Sequence, residues 1–257
     1  MTSLDKAKVR SSFSHASNSY DSAADLQRAI AYELLKQQPK LNGTVLDIGC
    51  GTGFLTQALQ QYQPEHLIAL DLALPMLNTA KQKLGHSVTY VCADAEALPF
   101  KKHSIDLIIS NVALQWCHGR VFQSLNRVLK PNGHLLFSTF APQTLHQLKS
   151  AWQSVDDYSH VNDFYSAEQL TDFLTQAGFK NIQITQSLYT RHYDSVLALM
   201  RELKHIGAHN VQQGRNKHIT TKTAMQQMIK HYEQQFGQHG QIPASYDVFI
   251  VSASCIN

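Results

Sequence analysis

The sequence lacks several features that would point to a functional class at once. Its four cysteines (Cys50, Cys92, Cys117 and Cys255) form no C-x-x-C pair, which favours reduced thiols over disulfides or a zinc site. Its 14 histidines include no H-E-x-x-H spacing, so no metal is predicted. No apolar run approaches the roughly 20 residues of a membrane span, and no signal-peptide core follows Met1. These absences predict a cytoplasmic protein with no membrane partner.

The sequence also has little excess of positive over negative charge. There are 22 Lys and Arg against 19 Asp and Glu, a net charge of +3. That excess is too small to indicate nucleic-acid binding by itself, and no basic-aromatic surface is visible, so no nucleic-acid partner is predicted. A hydrophobic content of 43% in 257 residues fits one large globular domain with insertions.

One stretch, V-L-D-I-G-C-G-T-G at residues 45–53, organises the chain. Val45, Leu46 and Ile48 predict a short buried parallel strand. The glycines that follow form a G-x-G-x-G loop, whose backbone can approach a ligand because no Cβ intervenes. Residues 53–61 predict a helix, whose first N–H groups are free to bind an electron-rich group. A tight turn without a ligand is the alternative when such a loop stands alone.

Strands and helices alternate along most of the chain, which predicts a doubly wound, mostly parallel α/β sheet of seven strands. The predicted strands are 44–48, 66–70, 87–92, 105–110, 134–140, 180–188 and 247–253. The predicted helices are 4–17, 22–37, 53–61, 74–84, 119–129, 144–155, 166–177, 194–206 and 221–235. The Lys-Pro-Asn-Gly sequence at 130–133 predicts a turn between a helix and a strand.

The whole chain, 1–257, is predicted to be one domain. Ligands of such sheets bind at the carboxyl ends of the strands, and the loops that leave those ends are the enlarged ones here. The N-terminal helices in 1–40 and the insertions 142–165 and 190–240 are therefore expected to form a helical lid over the site.

Acidic and amide side chains follow successive predicted strands. Asp71 ends the second strand, where a carboxylate can accept hydrogen bonds from two ribose hydroxyls; capping the next helix is its alternative role. Asp94 follows the third strand and Asn111 the fourth. The candidate cofactor residues are Asp47, Gly49, Cys50, Gly51, Gly53, Asp71, Leu72, Asp94, Ala95 and Asn111.

The sequence D-x-G-x-G-x-G at 47–53 resembles the first motif of class I S-adenosylmethionine-dependent methyltransferases. Residues 92–100 resemble their third motif, and Asn111 occupies the fourth. The resemblance implies S-adenosylmethionine as the cofactor, with Asp94 and Ala95 beside its adenine and Asn111 near its methionine part. A nicotinamide dinucleotide is less well matched, because its loop has the spacing G-x-G-x-x-G.

Segments outside the sheet are similar to a narrower family, the malonyl-acyl-carrier-protein O-methyltransferases of biotin synthesis. These segments are 13–21, 24–27, 110–117, 151–156, 160–164, 200–208 and 214–215. One departure is His15, where the family often has arginine. The resemblance implies methylation of the free carboxylate of a malonyl thioester, carried by acyl carrier protein or CoA, to start the pimeloyl part of biotin.

A carboxylate is already an anionic nucleophile, so catalysis is expected to rest on positioning and water exclusion rather than on a general base. Arg215 is the leading candidate to hold the substrate carboxylate, with Arg191 and Arg201 as rivals. Tyr20 and Trp116 are expected to line the substrate pocket. The alternative for Trp116 is that it only packs in the core.

Residues 191–230 hold seven Lys and Arg against two acids, an excess that could steer an acidic carrier protein or simply solvate a helix face. Two other functions stay open. One is methylation of a quinone, another small metabolite or RNA by the same fold. The other is a non-catalytic cofactor-binding module.

Overall fold

The computed structural model describes residues 5–39, 43–208 and 220–255. Its helices are α1 Lys6–Ala16, α2 Tyr20–Ala23, α3 Asp25–Lys36, α4 Phe54–Gln60, α5 Leu74–Leu84, α6 Val121–Val128, α7 His146–Gln153, α8 Ala167–Gln176, α9 Val196–His205 and α10 Lys222–Phe236. Its strands are β1 Thr44–Ile48, β2 His66–Asp71, β3 Thr89–Cys92, β4 Ile105–Asn111, β5 Leu129–Phe140, β6 Phe179–Tyr193 and β7 Ile242–Cys255. None of the described helices is long and apolar enough to cross a membrane.

The strands form one sheet in the order β3-β2-β1-β4-β5-β7-β6. The strands from β3 to β5 are parallel, and β7 runs antiparallel to both of its neighbours. The predicted doubly wound α/β sheet is confirmed. The strand order reverses between β1 and β4, and the crevice outside their carboxyl ends is the usual ligand position in such a sheet.

Both faces of the sheet are covered, which explains why β1 and β4 have consecutive apolar residues in their middle. Leu46 and Ile108 face a cluster that contains residues of α6 and α8. Val45 and Ile109 face the opposite cluster, which contains residues of α3 and α4. Successive residues of a strand point to opposite faces, so continuous apolar sequence is what a sheet buried on both sides requires.

The predicted turn at residues 130–133 lies inside β5 instead of before it. Ile105 of β4 is opposite Leu129, whereas Leu107 is opposite His134, so the residues between Leu129 and His134 bulge out of the ladder. Asn132 takes a φ of 61° in this bulge. The turn residues therefore interrupt the strand without ending it, because pairing with β4 resumes on the far side.

Strands β6 and β7 are both longer than predicted. Their pairing continues to Tyr193 opposite Ile242, so residues 190–193 belong to the sheet and the second insertion starts later than residue 190. Most of the β6 side chains are exposed or half-buried. The predicted strand was too short because a polar edge strand gives a weak hydrophobic pattern, whereas its pairing comes from the buried β7.

An apolar cluster lies at the carboxyl edge of the sheet. It joins Leu26 and Ile30 of α3 with Trp152 of α7, Leu199 of α9 and Tyr232 of α10. Helix α3 and both insertions thus share one packed layer. This arrangement supports the lid hypothesis, which stays a proposal.

Candidate active site

The glycine loop leaves β1 with a backbone that other residues would not readily adopt. Gly49, Gly51 and Gly53 have φ values of 70°, 55° and 92°. A Cβ on Gly49 would lie 2.2 Å from the Ala113 Cβ, whereas a Cβ on Gly51 would meet nothing within 4 Å. Gly49 and Gly53 therefore allow close packing, and the open side of Gly51 faces a cavity.

The carboxylate of Asp71 binds this loop. Its Oδ2 accepts a hydrogen bond from the Gly51 N–H at 2.9 Å, and its Oδ1 accepts one from the Ala73 N–H at 2.8 Å. Burial raises the pKa of Asp71 above its ordinary value, although the backbone N–H groups oppose the shift. Each oxygen still has a lone pair for a further donor, so helix-end bonding and ligand binding are compatible here.

A cavity of about 690 Å³, the main cavity, lies between this loop and α1. The candidate residues that line it are Gly49, Gly51, Asp71, Leu72, Asp94, Ala95, Asn111, Tyr20 and Trp116. Asp47, Cys50 and Gly53 do not line it. The fold therefore brings most of the candidate cofactor residues together at one cavity.

Asp47 faces a smaller cavity of about 420 Å³, the loop cavity, on the other side of the glycine loop. Its Oδ2 accepts a hydrogen bond from the Thr56 hydroxyl at 2.6 Å. Its Oδ1 is buried without a partner among the described residues. Burial raises the pKa of Asp47 to about 7. Gly49 and Gly51 line both cavities, so the two are adjacent.

Asp94 is tied to the N-terminal helix by a residue that the sequence reading missed. Lys6 of α1 lies 2.6 Å from Asp94 Oδ1 and 2.8 Å from Glu96 Oε1, and it lines the main cavity. Glu96 also binds His118 and Arg120, each at 2.9 Å. Although burial opposes the shift, these partners lower the pKa of Glu96 to about 2. This contact could not be predicted from the sequence, because a single lysine near the start of a chain belongs to no recognisable motif.

Asn111 is held at both ends of its amide. Its Nδ2 donates to the Gln27 carbonyl oxygen at 2.9 Å, and its Oδ1 accepts from the Ser138 hydroxyl at 2.8 Å. The end of β4 is thereby fixed to α3. Gln27, which was not among the candidate residues, is brought to the site by this hydrogen bond.

A third cavity of about 600 Å³, the insertion cavity, lies beneath the two insertions. Trp116 lines both this cavity and the main cavity, and the Phe13 ring packs edge-on against it at 5.5 Å between centroids. His160 also lines the insertion cavity. Its ring stacks on Trp152 at 3.7 Å, and its Nε2 lies 2.8 Å from Asp156 Oδ1.

The three candidate arginines have different positions. Arg191 lies 3.7 Å from Asp25, and Arg201 donates to the Leu197 carbonyl oxygen of its own helix. Neither lines any of the three cavities. Arg215 lies outside the described residues. All three remain predictions for substrate binding.

Comparison with known proteins identifies the family. The sequence profile of a family described as "Methyltransferase domain" matches residues 46–137. The malonyl-[acyl-carrier protein] O-methyltransferase of Gallionella capsiferriformans is 38% identical over 259 residues, covering 95% of this chain and 89% of that protein. This chain belongs to the malonyl-[acyl-carrier protein] O-methyltransferase family. The resemblance found in the sequence is confirmed.

A longer relative has a second part. The biotin biosynthesis bifunctional protein BioHC of Saccharophagus degradans is 41% identical over 255 residues. The match covers 95% of this chain but only 45% of that protein. The chain therefore spans about half the length of the bifunctional relatives it matches.

The fold is shared with solved structures. The crystal structure of the YcgJ protein from Bacillus subtilis matches with a TM-score of 0.64 and 17% identity, covering 89% of this chain and 98% of that one. The predicted class I methyltransferase fold is confirmed, and S-adenosylmethionine stays the predicted cofactor. The site fits this cofactor, because the open side of Gly51 leaves room and Asp71 keeps free lone pairs for ribose hydroxyls.

Proposed function

We propose that this protein transfers a methyl group from S-adenosylmethionine to the free carboxylate of a malonyl thioester on acyl carrier protein or CoA. The methyl ester masks the charge, so that chain elongation can proceed toward the pimeloyl part of biotin. We also propose a cytoplasmic location, where its free cysteines would stay reduced.

The observation that carries this proposal is the pair of cavities on either side of Trp116. The main cavity fits the cofactor, and the insertion cavity offers space for a second molecule next to it. Its walls are largely apolar, with side chains such as Phe140, Leu148 and Phe164. An apolar enclosure that excludes water suits a carboxylate attacking a methyl group, because desolvation removes the shell that weakens the nucleophile.

The bound cofactor supplies a methyl group on a positively charged sulfur. The protein's task is to hold the carboxylate in line with that methyl group and to keep water away. The Tyr20 hydroxyl is not needed as a base for this reaction. Burial and the nearby acids raise its pKa above the ordinary value, so it stays neutral as part of the wall.

A carboxylate in the insertion cavity needs a donor. Among the described residues that line this cavity, His160 is the one basic side chain. Its contact with Asp156 Oδ1 at 2.8 Å orients the imidazole ring. Glu202, an acid that also lines this cavity, would repel a substrate carboxylate. It accepts a hydrogen bond from the Tyr193 hydroxyl at 2.8 Å, which offsets part of that repulsion. We therefore place His160 beside Arg215 as a candidate carboxylate donor.

The direct test is incubation of the purified protein with labelled S-adenosylmethionine and malonyl-acyl carrier protein, followed by mass spectrometry. The expected result is a gain of one methyl group on the malonyl carboxylate. Malonyl-CoA in a parallel reaction distinguishes the two carriers. Cofactor binding without turnover on either thioester would contradict the proposal and favour the non-catalytic module. Methylation of an unrelated small molecule would favour the other rival.

The proposed carrier partner is tested separately at Lys204, which is exposed at the last turn of α9. Lys204→Glu should raise the KM for malonyl-acyl carrier protein and leave the KM for a short malonyl thioester unchanged. Added salt should act similarly, because exposed charges are screened over about 8–10 Å. Lys101→Glu, at the exposed amino-end loop before β4, is the matched control. Equal losses on both substrates would argue against steering.

A further inference from the structure

Gln27 lies where two cavities meet. It lines the loop cavity together with Asp47 and also lines the insertion cavity together with Trp116. The residue is 8% exposed, and its Oε1 has no hydrogen-bond partner among the described residues. A buried amide oxygen without a partner is costly and rare, so it calls for an explanation.

Asp47, which also lines the loop cavity, has an oxygen in the same condition. Asp47 Oδ1 is also buried and unpartnered among the described residues. Two unpartnered acceptors on two residues that line the same cavity fit a ligand group that carries several N–H bonds. A carboxylate or an ether could not satisfy them, because neither donates. An ammonium group donates three hydrogen bonds and neutralises the Asp47 charge.

S-adenosylmethionine carries one ammonium group, on its amino-acid tail. Gly49, Gly51, Tyr20 and Asn111 line both the main and the loop cavity. A cofactor whose ribose meets Asp71 in the main cavity can therefore extend past the loop, and its ammonium group can meet the two free acceptors.

The other end of the Gln27 amide is a donor, and the residue also lines the insertion cavity. We propose that Gln27 bridges the two ligands: Oε1 accepts from the cofactor's ammonium group, and Nε2 donates to the carboxylate of the acidic substrate. One rigid amide would then fix the attacking oxygen relative to the methyl donor. The proposal has two halves. The cofactor half, the contact of Oε1 with the ammonium group, is based on the unpartnered oxygens. The substrate half, the contact of Nε2 with the carboxylate, rests on the proposed function.

The amide is the chemically suitable group at this position. Glutamate could bind the ammonium group but would repel a carboxylate, and lysine would do the reverse. The position of Gln27 is set by its own backbone, since its carbonyl oxygen accepts the hydrogen bond from Asn111. Gln27 is therefore inferred to be a positioning residue that contacts both ligands.

The cofactor half is tested by calorimetry with two nucleosides. S-adenosylhomocysteine has the ammonium group, whereas methylthioadenosine lacks the amino-acid tail. Gln27→Met should weaken binding of the first by about tenfold and of the second by less than about twofold, as expected for one lost charged hydrogen bond. Equal weakening of both, or of neither, would overturn this half.

A matched control is Gln147→Met. Gln147 is also a buried glutamine, but it bonds Ser245 and lines none of the three cavities. This variant reports the general effect of removing a buried amide. It should lower the melting temperature without changing the ratio of the two nucleoside affinities.

The substrate half is tested with Gln27→Glu. This variant should keep its affinity for S-adenosylhomocysteine and raise the KM for the malonyl thioester by about tenfold or more, because like charges then face each other. Inhibition by the uncharged methyl ester product should not change. A parallel loss of both ligands would overturn the bridging role. If the wild type does not methylate malonyl thioesters, the proposed function and the substrate half fall together, whereas the nucleoside comparison still decides the cofactor half.

Discussion

The Gly51 N–H donates to the Asp71 carboxylate at 2.9 Å across 20 residues of sequence. This bond joins the loop after β1 to the end of β2. The acid that the sequence assigned to ribose binding therefore also fixes the loop that surrounds the cofactor. Loss of Asp71 should act both on a direct contact and on the shape of the main cavity.

Asp71→Ala should weaken S-adenosylmethionine binding by about 1–3 kcal/mol, the usual cost of removing a charged hydrogen-bond partner. Calorimetry measures the effect. Asp172→Ala, at an exposed position of α8, is the control and should leave affinity unchanged. Normal affinity in a folded Asp71→Ala variant would remove this residue from the site.

Cofactor affinity should depend on pH through Asp47. Because burial raises the pKa of this carboxyl to about 7, it is partly protonated at neutral pH in the free protein. An ammonium group beside it would favour the carboxylate, so binding should release a proton. Affinity should fall as pH drops below about 7, approaching tenfold per unit for one linked proton. Asp47→Asn should flatten this dependence, and a profile unchanged by the substitution would contradict the assignment.

The same group affects stability in the absence of cofactor. The folded-state pKa of about 7 lies above the ordinary value of 3.8, so the folded state binds the proton more tightly than the unfolded state. The contribution of Asp47 to the unfolding free energy should therefore decrease as pH rises from about 4 to 7. Asp47→Asn should gain stability relative to the wild type over that range, as measured by denaturant unfolding.

Lys6 should act on cofactor binding through the position of α1. Its ion pairs with Asp94 and Glu96 hold that helix over the main cavity. Lys6→Met should weaken S-adenosylmethionine binding by about threefold to tenfold, the scale of one partly buried charged contact. Lys8→Met, on the same helix but paired with Asp5 near the surface, should change affinity little. Equal effects of the two variants would indicate general damage to α1.

Arg215 remains the sequence-based candidate for the substrate carboxylate. Arg215→Ala should cost about 2–4 kcal/mol in kcat/KM with little change in cofactor affinity, the scale for a desolvated charge partner. Arg215→Lys should restore only part of the lost kcat/KM, because lysine keeps the charge but lacks the paired N–H groups. His160→Ala, Arg191→Ala and Arg201→Ala in the same assay rank the alternatives. If the Arg215 variant still prefers the free acid to its methyl ester, another residue is the anchor.

The sheet, the glycine loop and the positions of the acids could all be predicted from the sequence. Strand spacing and the glycine pattern are local properties, and parallel strands bring their carboxyl ends to one edge whatever else the chain does. Asp71, Asp94 and Asn111 could therefore be assigned to one site without coordinates. The family was also readable, because its segments outside the sheet are distinctive.

The distant residues that join this site become visible only in the folded chain. Lys6 meets Asp94 across 88 positions, and Gln27 meets Asn111 across 84. Such contacts depend on how α1 and α3 pack on the sheet, and no local pattern encodes that packing. The same reason explains why Arg191 pairs with Asp25 and Arg201 lies along its own helix. The sequence can suggest an arginine as a candidate for substrate binding. Whether its side chain reaches a cavity depends on the orientation of the helix or strand that carries it.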